Sequence, residues 1–292
     1  MKSTFVHFND VRLHVVDAGE EHDECMIFLH GFPESHLSWT PYVTAFSKSH
    51  HVVAPDNRGF GESDKPLEIS AYDIQEIVAD IVGLANHFST KPITLVGHDW
   101  GGVAAWHVAA EHPQLLKRMV ILNAPHPTIF SHSLISNDAQ RAASQYINRF
   151  RDGGCEARLQ AIGLEAFWMS VFGAHFASGA ITEAHKAKQI ASWREPGALT
   201  AMLNWYRASA YEVSPASEAL AEGVAPLANI VVPTLVIWGI EDSVLLPCQI
   251  EGLSDYVESL TVKTLVNAGH GLIHDSPHEI IELIRKFIVA TD

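Results

Sequence analysis

The stretch Leu95-Val96-Gly97-His98-Asp99-Trp100-Gly101-Gly102 decides how this chain is read. It follows a short apolar run, Ile93 to Val96, that reads as a buried strand. It precedes Val103-Ala104-Ala105-Trp106-His107-Val108-Ala109-Ala110, which reads as a small-residue helix. A strand therefore turns directly into a helix, and glycines at 97, 101 and 102 suit a sharp bend with helix and sheet in close approach. The pattern is that of a nucleophile elbow, G-x-S-x-G, with Asp99 where serine would stand. Serine attacks acyl carbon, whereas a carboxylate attacks saturated carbon that carries a leaving group and becomes an alkyl ester. Epoxides and alkyl halides are such substrates. The plain alternative is that Asp99 only caps the helix behind it.

Working outward, the chain alternates strand and helix. Val11 to Asp17 reads as an early strand, paired with Phe5 to Phe8 as a hairpin, and Cys25 to Leu29 is an unbroken apolar run, as expected of a strand covered on both faces. A strand at His51 to Pro55 leads into the turn-rich segment Asp56 to Pro66. Ile74, Ile77, Val78, Ile81, Leu84, Ala85 and Phe88 form one stripe of a helix over Ser70 to Phe88. Met119 to Leu122 is a further buried strand. This rhythm means a parallel sheet. From 129 to 222 the apolar runs stop, and alanine, arginine, glutamine and aromatics recur with helical period. That span is expected to be an all-helical cap, inserted between core segments 1–128 and 223–292. Strands resume at Pro233 to Gly239 and Leu260 to Val266. A closing helix is signalled by Ser276 as N-cap, Pro277 as first residue and Glu279 as the reciprocal partner of a capping box.

Composition narrows the function classes. Of the 292 residues, 47% are hydrophobic and 18% charged, and 34 acids against 19 bases leave a formal charge of −15. Nucleic acid and anionic membrane surfaces are poor partners for such a chain. Cys25, Cys155 and Cys248 are scattered and odd in number, so no disulfide framework is implied. The first ten residues have no apolar signal core and no later run is long enough to span a bilayer, so a cytoplasmic location is expected. The 18 histidines include no His-Glu-x-x-His, and pairs such as His50-His51 do not make a ligand set. No metal or cofactor is expected.

A carboxylate nucleophile needs a base for a second step, an acid to orient that base, and donors for an oxyanion. The chain order nucleophile, acid, histidine directs attention to the loops after late strands. His270, in Asn267-Ala268-Gly269-His270-Gly271, is the expected base, with His274 as its rival. Asp242, in Trp238-Gly239-Ile240-Glu241-Asp242-Ser243-Val244, is the expected orienting acid, ahead of Glu241. Backbone N–H groups of Trp100 and Phe32 are the expected oxyanion donors.

Five segments then resemble the α/β-hydrolase-fold epoxide hydrolases. They are His30-Gly31-Phe32-Pro33, Asp56-x-Arg58-Gly59-x-Gly61-x-Ser63, the elbow at 97–102, Asn123-Ala124-Pro125-His126-Pro127 and Gly269-His270. The resemblance implies the α/β-hydrolase fold, a mostly parallel sheet with helices on both faces and a helical cap. It also implies the same roles for Asp99, His270, Asp242, Phe32 and Trp100. It further implies two cap tyrosines that hydrogen-bond the epoxide oxygen: Tyr146, in Tyr146-Ile147-Asn148-Arg149-Phe150, and Tyr206, in Asn204-Trp205-Tyr206-Arg207. Expelling an alkoxide calls for such an acid, whereas a halide leaves as a weak base and needs only N–H donors. Haloalkane dehalogenases usually carry asparagine where this chain has Phe32, and haloacetate dehalogenases carry arginine where it has Trp100. They remain the weaker alternative, with a non-catalytic ligand-binding module as a third. The cap is rich in large apolar residues, Phe167, Trp168, Met169, Phe172, Phe176, Trp193 and Trp205, divided between a pocket and the cap's own core in a way the sequence leaves open, and a small hydrophobic epoxide is the expected substrate. The oligomeric state is open between monomer and homodimer.

Overall fold

Unbroken apolar runs become the strands of one eight-stranded sheet in the computed structural model, which describes residues 1–8, 10–214 and 224–292. The strands are β1 (Lys2–Phe8), β2 (Val11–Ala18), β3 (Cys25–Leu29), β4 (His51–Pro55), β5 (Ile93–His98), β6 (Leu116–Leu122), β7 (Thr234–Gly239) and β8 (Leu260–Leu265). Their order is β1-β2-β4-β3-β5-β6-β7-β8; β1 and β2 run antiparallel to their neighbours and the rest are parallel.

Between the first six strands lie α1 (Thr40–Phe46), α2 (Ile74–Phe88) and α3 (Trp100–Glu111). Between β6 and β7 the chain forms α4 (Pro127–Ser136), α5 (Asp138–Ala143), α6 (Tyr146–Arg151), α7 (Cys155–Ile162), α8 (Leu164–Ala177), α9 (Glu183–Trp193) and α10 (Ala198–Ala208). The fold closes with α11 (Leu272–Asp275) and α12 (Pro277–Thr291). The expected cap boundary at 222/223 lies outside the described residues.

Alternation along β3 divides the core in two, because successive side chains point to opposite faces. Met26 and Phe28 join Trp39, Tyr42, Phe46, Ile280 and Ile284 under α1 and α12. Cys25, Ile27 and Leu29 face the other way, into a core that runs through α2 and α3 and on into the inserted helices by way of Trp100, Trp205 and Trp168. Each large apolar side chain buried there contributes about 1.5–3 kcal/mol. Among the described residues no helix is long and apolar enough to cross a membrane.

Two local expectations change. The helix expected from Ser70 is a 3₁₀ turn at Ile69–Tyr72, broken by the extended ψ of Asp73, and only then α2. Ser276 does precede α12, but among the described residues its side chain makes no cap bond. The reason is local: its N–H already closes α11 onto the Leu272 carbonyl, and φ −136°, ψ 50° is not the extended conformation an N-cap uses.

Sequence order reverses beside β3: the chain moves to β4 on one side, then crosses to β5 on the other. Loops after parallel strands splay apart at such a switch point and leave a crevice at the carboxyl edge of the sheet. The loops after β3 and β5 carry Phe32 and Asp99.

Candidate active site

Asp99 joins β5 to α3 with φ 49° and ψ −123°, a conformation that costs a residue with a side chain about 1–3 kcal/mol. The bend is held on all sides. Val103 N–H donates to the Asp99 carbonyl at 2.9 Å, and α3 lies so close to β3 that a Cβ on Gly101 would collide with the Leu29 and His30 carbonyls. The carboxylate caps nothing among the described residues. Instead Oδ1 accepts from the Phe32 N–H at 2.8 Å, and Oδ2 lies 3.6 Å from His270 Nε2. At Gly31 any side chain would run into this carboxylate. Trp100, the first residue of α3, has an N–H with no carbonyl a turn earlier to receive it.

His270 follows β8, and its Nδ1 is 2.9 Å from Asp242 Oδ2. Asp242 is buried, and its Oδ1 accepts from the N–H groups of Val244 and Leu245, each at 2.8 Å. Burial alone would raise its pKa; the His270 charge and these donors win, and it is held below the usual carboxylate range. An ionised acceptor there requires the proton on His270 Nδ1 and turns Nε2 toward Asp99. Burial likewise disfavours charge on His270, but the Asp242 and Asp99 carboxylates outweigh it and lift the imidazole well above its ordinary pKa. Glu241, next to Asp242, is exposed. His274 points elsewhere: its Nε2 is 3.0 Å from Glu34 Oε1. Glu34 is buried beneath the site, where its Oε2 also takes His98 Nδ1 at 3.0 Å and Gly31 N–H at 3.1 Å.

Asn123 is the residue that sequence reasoning missed. At the end of β6, with φ 36°, its Nδ2 donates to Asp242 Oδ2 at 2.6 Å and its Oδ1 accepts from Gly239 N–H at 2.7 Å. The usable signal was an asparagine closing a strand, since asparagine tolerates positive φ better than most residues.

The inserted helices bring two phenols over this edge. Tyr146 opens α6 and Tyr206 lies on α10, with ring centroids 6.0 Å apart. Tyr206 packs edge-on against Trp100 at 5.2 Å and Phe32 at 5.0 Å. Burial and the nearby Asp99 charge push both phenols well above the ordinary tyrosine pKa, so both stay protonated donors at neutral pH. Helix α10 is moored by Trp205 Nε1, which donates to the Arg58 carbonyl at 2.9 Å.

Two other features lie apart from Asp99. His14, His36 and Asp56 are metal-ligand types with donor atoms within 4.8 Å of one another. Yet each Asp56 oxygen already accepts an imidazole at 2.8 Å and a backbone N–H. The group is thus satisfied as a buried carboxylate. A cavity of about 1150 Å³ opens between the loop at 35–38 and α9; among the described residues its lining, which includes His36, Asp56, Lys65, His185 and Lys188, does not contain Asp99.

The sequence profile of the alpha/beta hydrolase fold family matches residues 24–277. AB hydrolase superfamily protein YfhM of Bacillus subtilis is 32% identical, over 99% of this chain and 98% of that protein. Epoxide hydrolase 4 of Mus musculus is 30% identical, over 95% of this chain and 76% of that protein. A solved structure described among novel epoxide hydrolases of the alpha/beta hydrolases superfamily, from metagenomes of hot environments, superposes with a TM-score of 0.88 at 34% identity, covering 99% of this chain and 98% of that one. A strained aspartate on a strand-to-helix bend, faced by a carboxylate-held histidine, thus sits in a chain matched end to end by such proteins, and this chain belongs to the α/β-hydrolase-fold epoxide hydrolase family.

Proposed function

We propose that the protein hydrolyses a small hydrophobic epoxide to a vicinal diol through an ester on Asp99. The observation that carries this reading is the setting of one carboxylate. Asp99 Oδ1 is bound by the Phe32 N–H, Oδ2 faces His270, and two phenols, Tyr206 buried and Tyr146 half-buried, lie close enough for the Asp99 charge to raise their pKa values.

Tyr146 and Tyr206 hydrogen-bond the ring oxygen while Asp99 Oδ2 attacks a ring carbon from the opposite side. The C–O bond to that carbon breaks, and the departing oxygen takes its proton from the phenols. Oδ1 becomes the ester carbonyl oxygen. Esterification removes one of the two anions that hold His270 charged, so its pKa falls and the neutral imidazole becomes available. His270, oriented by Asp242, then takes a proton from water, whose oxygen attacks the ester carbonyl. The N–H groups of Phe32 and Trp100 stabilise the oxyanion. The tetrahedral intermediate then collapses: the bond from the carbonyl carbon to the diol oxygen breaks, that oxygen takes the water's second proton, and Asp99 returns to a carboxylate. The proton that His270 sheds on esterification restores the phenol that protonated the ring oxygen, and the one it takes from water restores its own charge, so the cycle closes with no net proton uptake.

The test separates the two steps. His270→Gln retains the nucleophile and the phenols, so a styrene-type, aliphatic or terpene epoxide that is a substrate should leave a covalent adduct, seen as a mass increase equal to the epoxide. Diol released by His270→Gln at the wild-type rate, with no adduct, refutes the scheme. Halide release from haloalkanes in place of diol from epoxides would assign the leaving group differently.

A further inference from the structure

Gln189, on α9, is 1% exposed and has no part in the steps above. Its Nε2 donates to the Pro33 carbonyl at 2.8 Å, and its Oε1 accepts from Trp168 Nε1 on α8 at 3.0 Å. These partners fix which end of the amide is which, because a carbonyl can only accept and an indole N–H can only donate. Pro33 directly follows Phe32, whose N–H points at Asp99 Oδ1, and the Phe32 ring meets Tyr206. Two other ties from the inserted helices land elsewhere, Trp205 on the Arg58 carbonyl and Asn204 on the Leu67 carbonyl, both between β4 and α2. Gln189 therefore grips the loop after β3 beside its oxyanion donor.

We propose that Gln189 is a positioning residue for the Phe32 N–H. By holding the Pro33 carbonyl from above, it sets the direction in which that N–H meets Asp99 Oδ1. The inference rests on the reading of Asp99 as nucleophile. Its consequence falls unevenly on the two steps. The N–H···Oδ1 bond strengthens when negative charge collects on that oxygen during ester hydrolysis, and misaligned donors lose most there.

The experiment compares two substitutions on the same pair of bonds. Gln189→Glu keeps the acceptor for Trp168 and the side-chain size, but replaces the donor to Pro33 with a carboxylate oxygen. Trp168→Phe removes the other bond and leaves the donor in place. In single-turnover measurements Gln189→Glu is expected to slow ester hydrolysis roughly five- to tenfold, the worth of about one hydrogen bond, while ester formation changes less than twofold. Trp168→Phe should leave both steps within twofold even as it lowers thermal stability. Equal slowing of both steps, or the same hydrolysis defect in Trp168→Phe, overturns the proposal, because either is what a general loss of packing would do.

A second readout is independent of turnover. The Phe32 amide should exchange faster with solvent deuterium in Gln189→Glu than in wild type or Trp168→Phe. An unchanged Phe32 amide overturns the inference and leaves the ester mechanism standing. A wild-type chain inert toward every epoxide overturns the ester mechanism, and this catalytic role with it. If Gln189→Glu does not fold, Gln189→Met against Trp168→Phe carries the same comparison, since the two then differ in the donor to Pro33.

Discussion

The carboxyl edge of the sheet and the inserted helices each supply half of the site, and they are held together by different forces. At the sheet edge every functional group is fixed by polar bonds. Asp99 is bonded to Phe32, His270 to Asp242, and Asp242 to three donors besides. The helices present Tyr146 and Tyr206 from a wall of rings, where Tyr206 touches Phe32, Trp100, Phe150 and Tyr146. Packed rings tolerate small shifts, whereas a bonded carboxylate does not. In the proposed mechanism the rigid half carries the bond-making and hydrolytic groups, and the softer half meets the epoxide oxygen.

The comparison is broken most severely at Asp99. Asp99→Ala and Asp99→Gly should each abolish diol formation, a loss on the order of 10⁴-fold or more. The glycine variant should also be the more stable of the two, because glycine accepts φ 49°, ψ −123° without the strain a side chain incurs. Equilibrium denaturation checks this; equal stability of the two variants would mean that the bend is not strained. A smaller effect is expected on the helical side. Replacing Tyr146 and Tyr206 together by Phe keeps the ring wall and removes both hydroxyls, and should slow ester formation about 10²- to 10⁴-fold while ester hydrolysis stays near wild type. Unchanged ester formation in rapid-quench experiments would remove the phenols from the mechanism.

How far each half could be read from sequence follows from the same contrast. Asp99, Asp242 and His270 are legible because each stands in a short loop marked by glycines after an apolar run, and strand order fixes which loops meet at one edge. Tyr146 and Tyr206 carry no such mark. A tyrosine on an amphipathic helix reads as ordinary packing, and only the resemblance to a family singled out these two. Asn123 escaped because a strand-ending asparagine reads as a turn; its bonds to Asp242 and Gly239 join segments more than a hundred residues apart in sequence. The Ser276 capping box fails for a local reason instead: the short helix before it already holds that residue's N–H. Local pattern signals that a bend exists, but it does not reveal which distant loop completes it.

Asn123 supplies the next test. Asn123→Ala leaves Gly239 N–H without an acceptor and takes one donor from a buried carboxylate, and should cost about 1.5–3 kcal/mol in urea unfolding. A surface asparagine would cost almost nothing. A loss well below 1 kcal/mol would show that water replaces the amide, and that the sheet edge is less rigidly bonded than the contrast requires.

The finest effect concerns a proton. His270 is raised well above its ordinary pKa against its own burial, by Asp242 first and Asp99 after it. Neutralising one anion must therefore lower it: Asp99→Asn should titrate at lower pH than wild type when the His270 imidazole is followed by NMR. The sign carries through to stability. A raised imidazole pKa stabilises the fold fully below the unfolded-chain value of about 6.5, and this contribution is lost as pH rises through the folded value. The stability of wild type relative to Asp99→Asn should then decline as pH is raised across that window. If the variant titrates at the wild-type value, Asp99 and His270 are not electrostatically coupled. Esterification could then not release His270 to act as a base, and the two steps proposed here would need a different link.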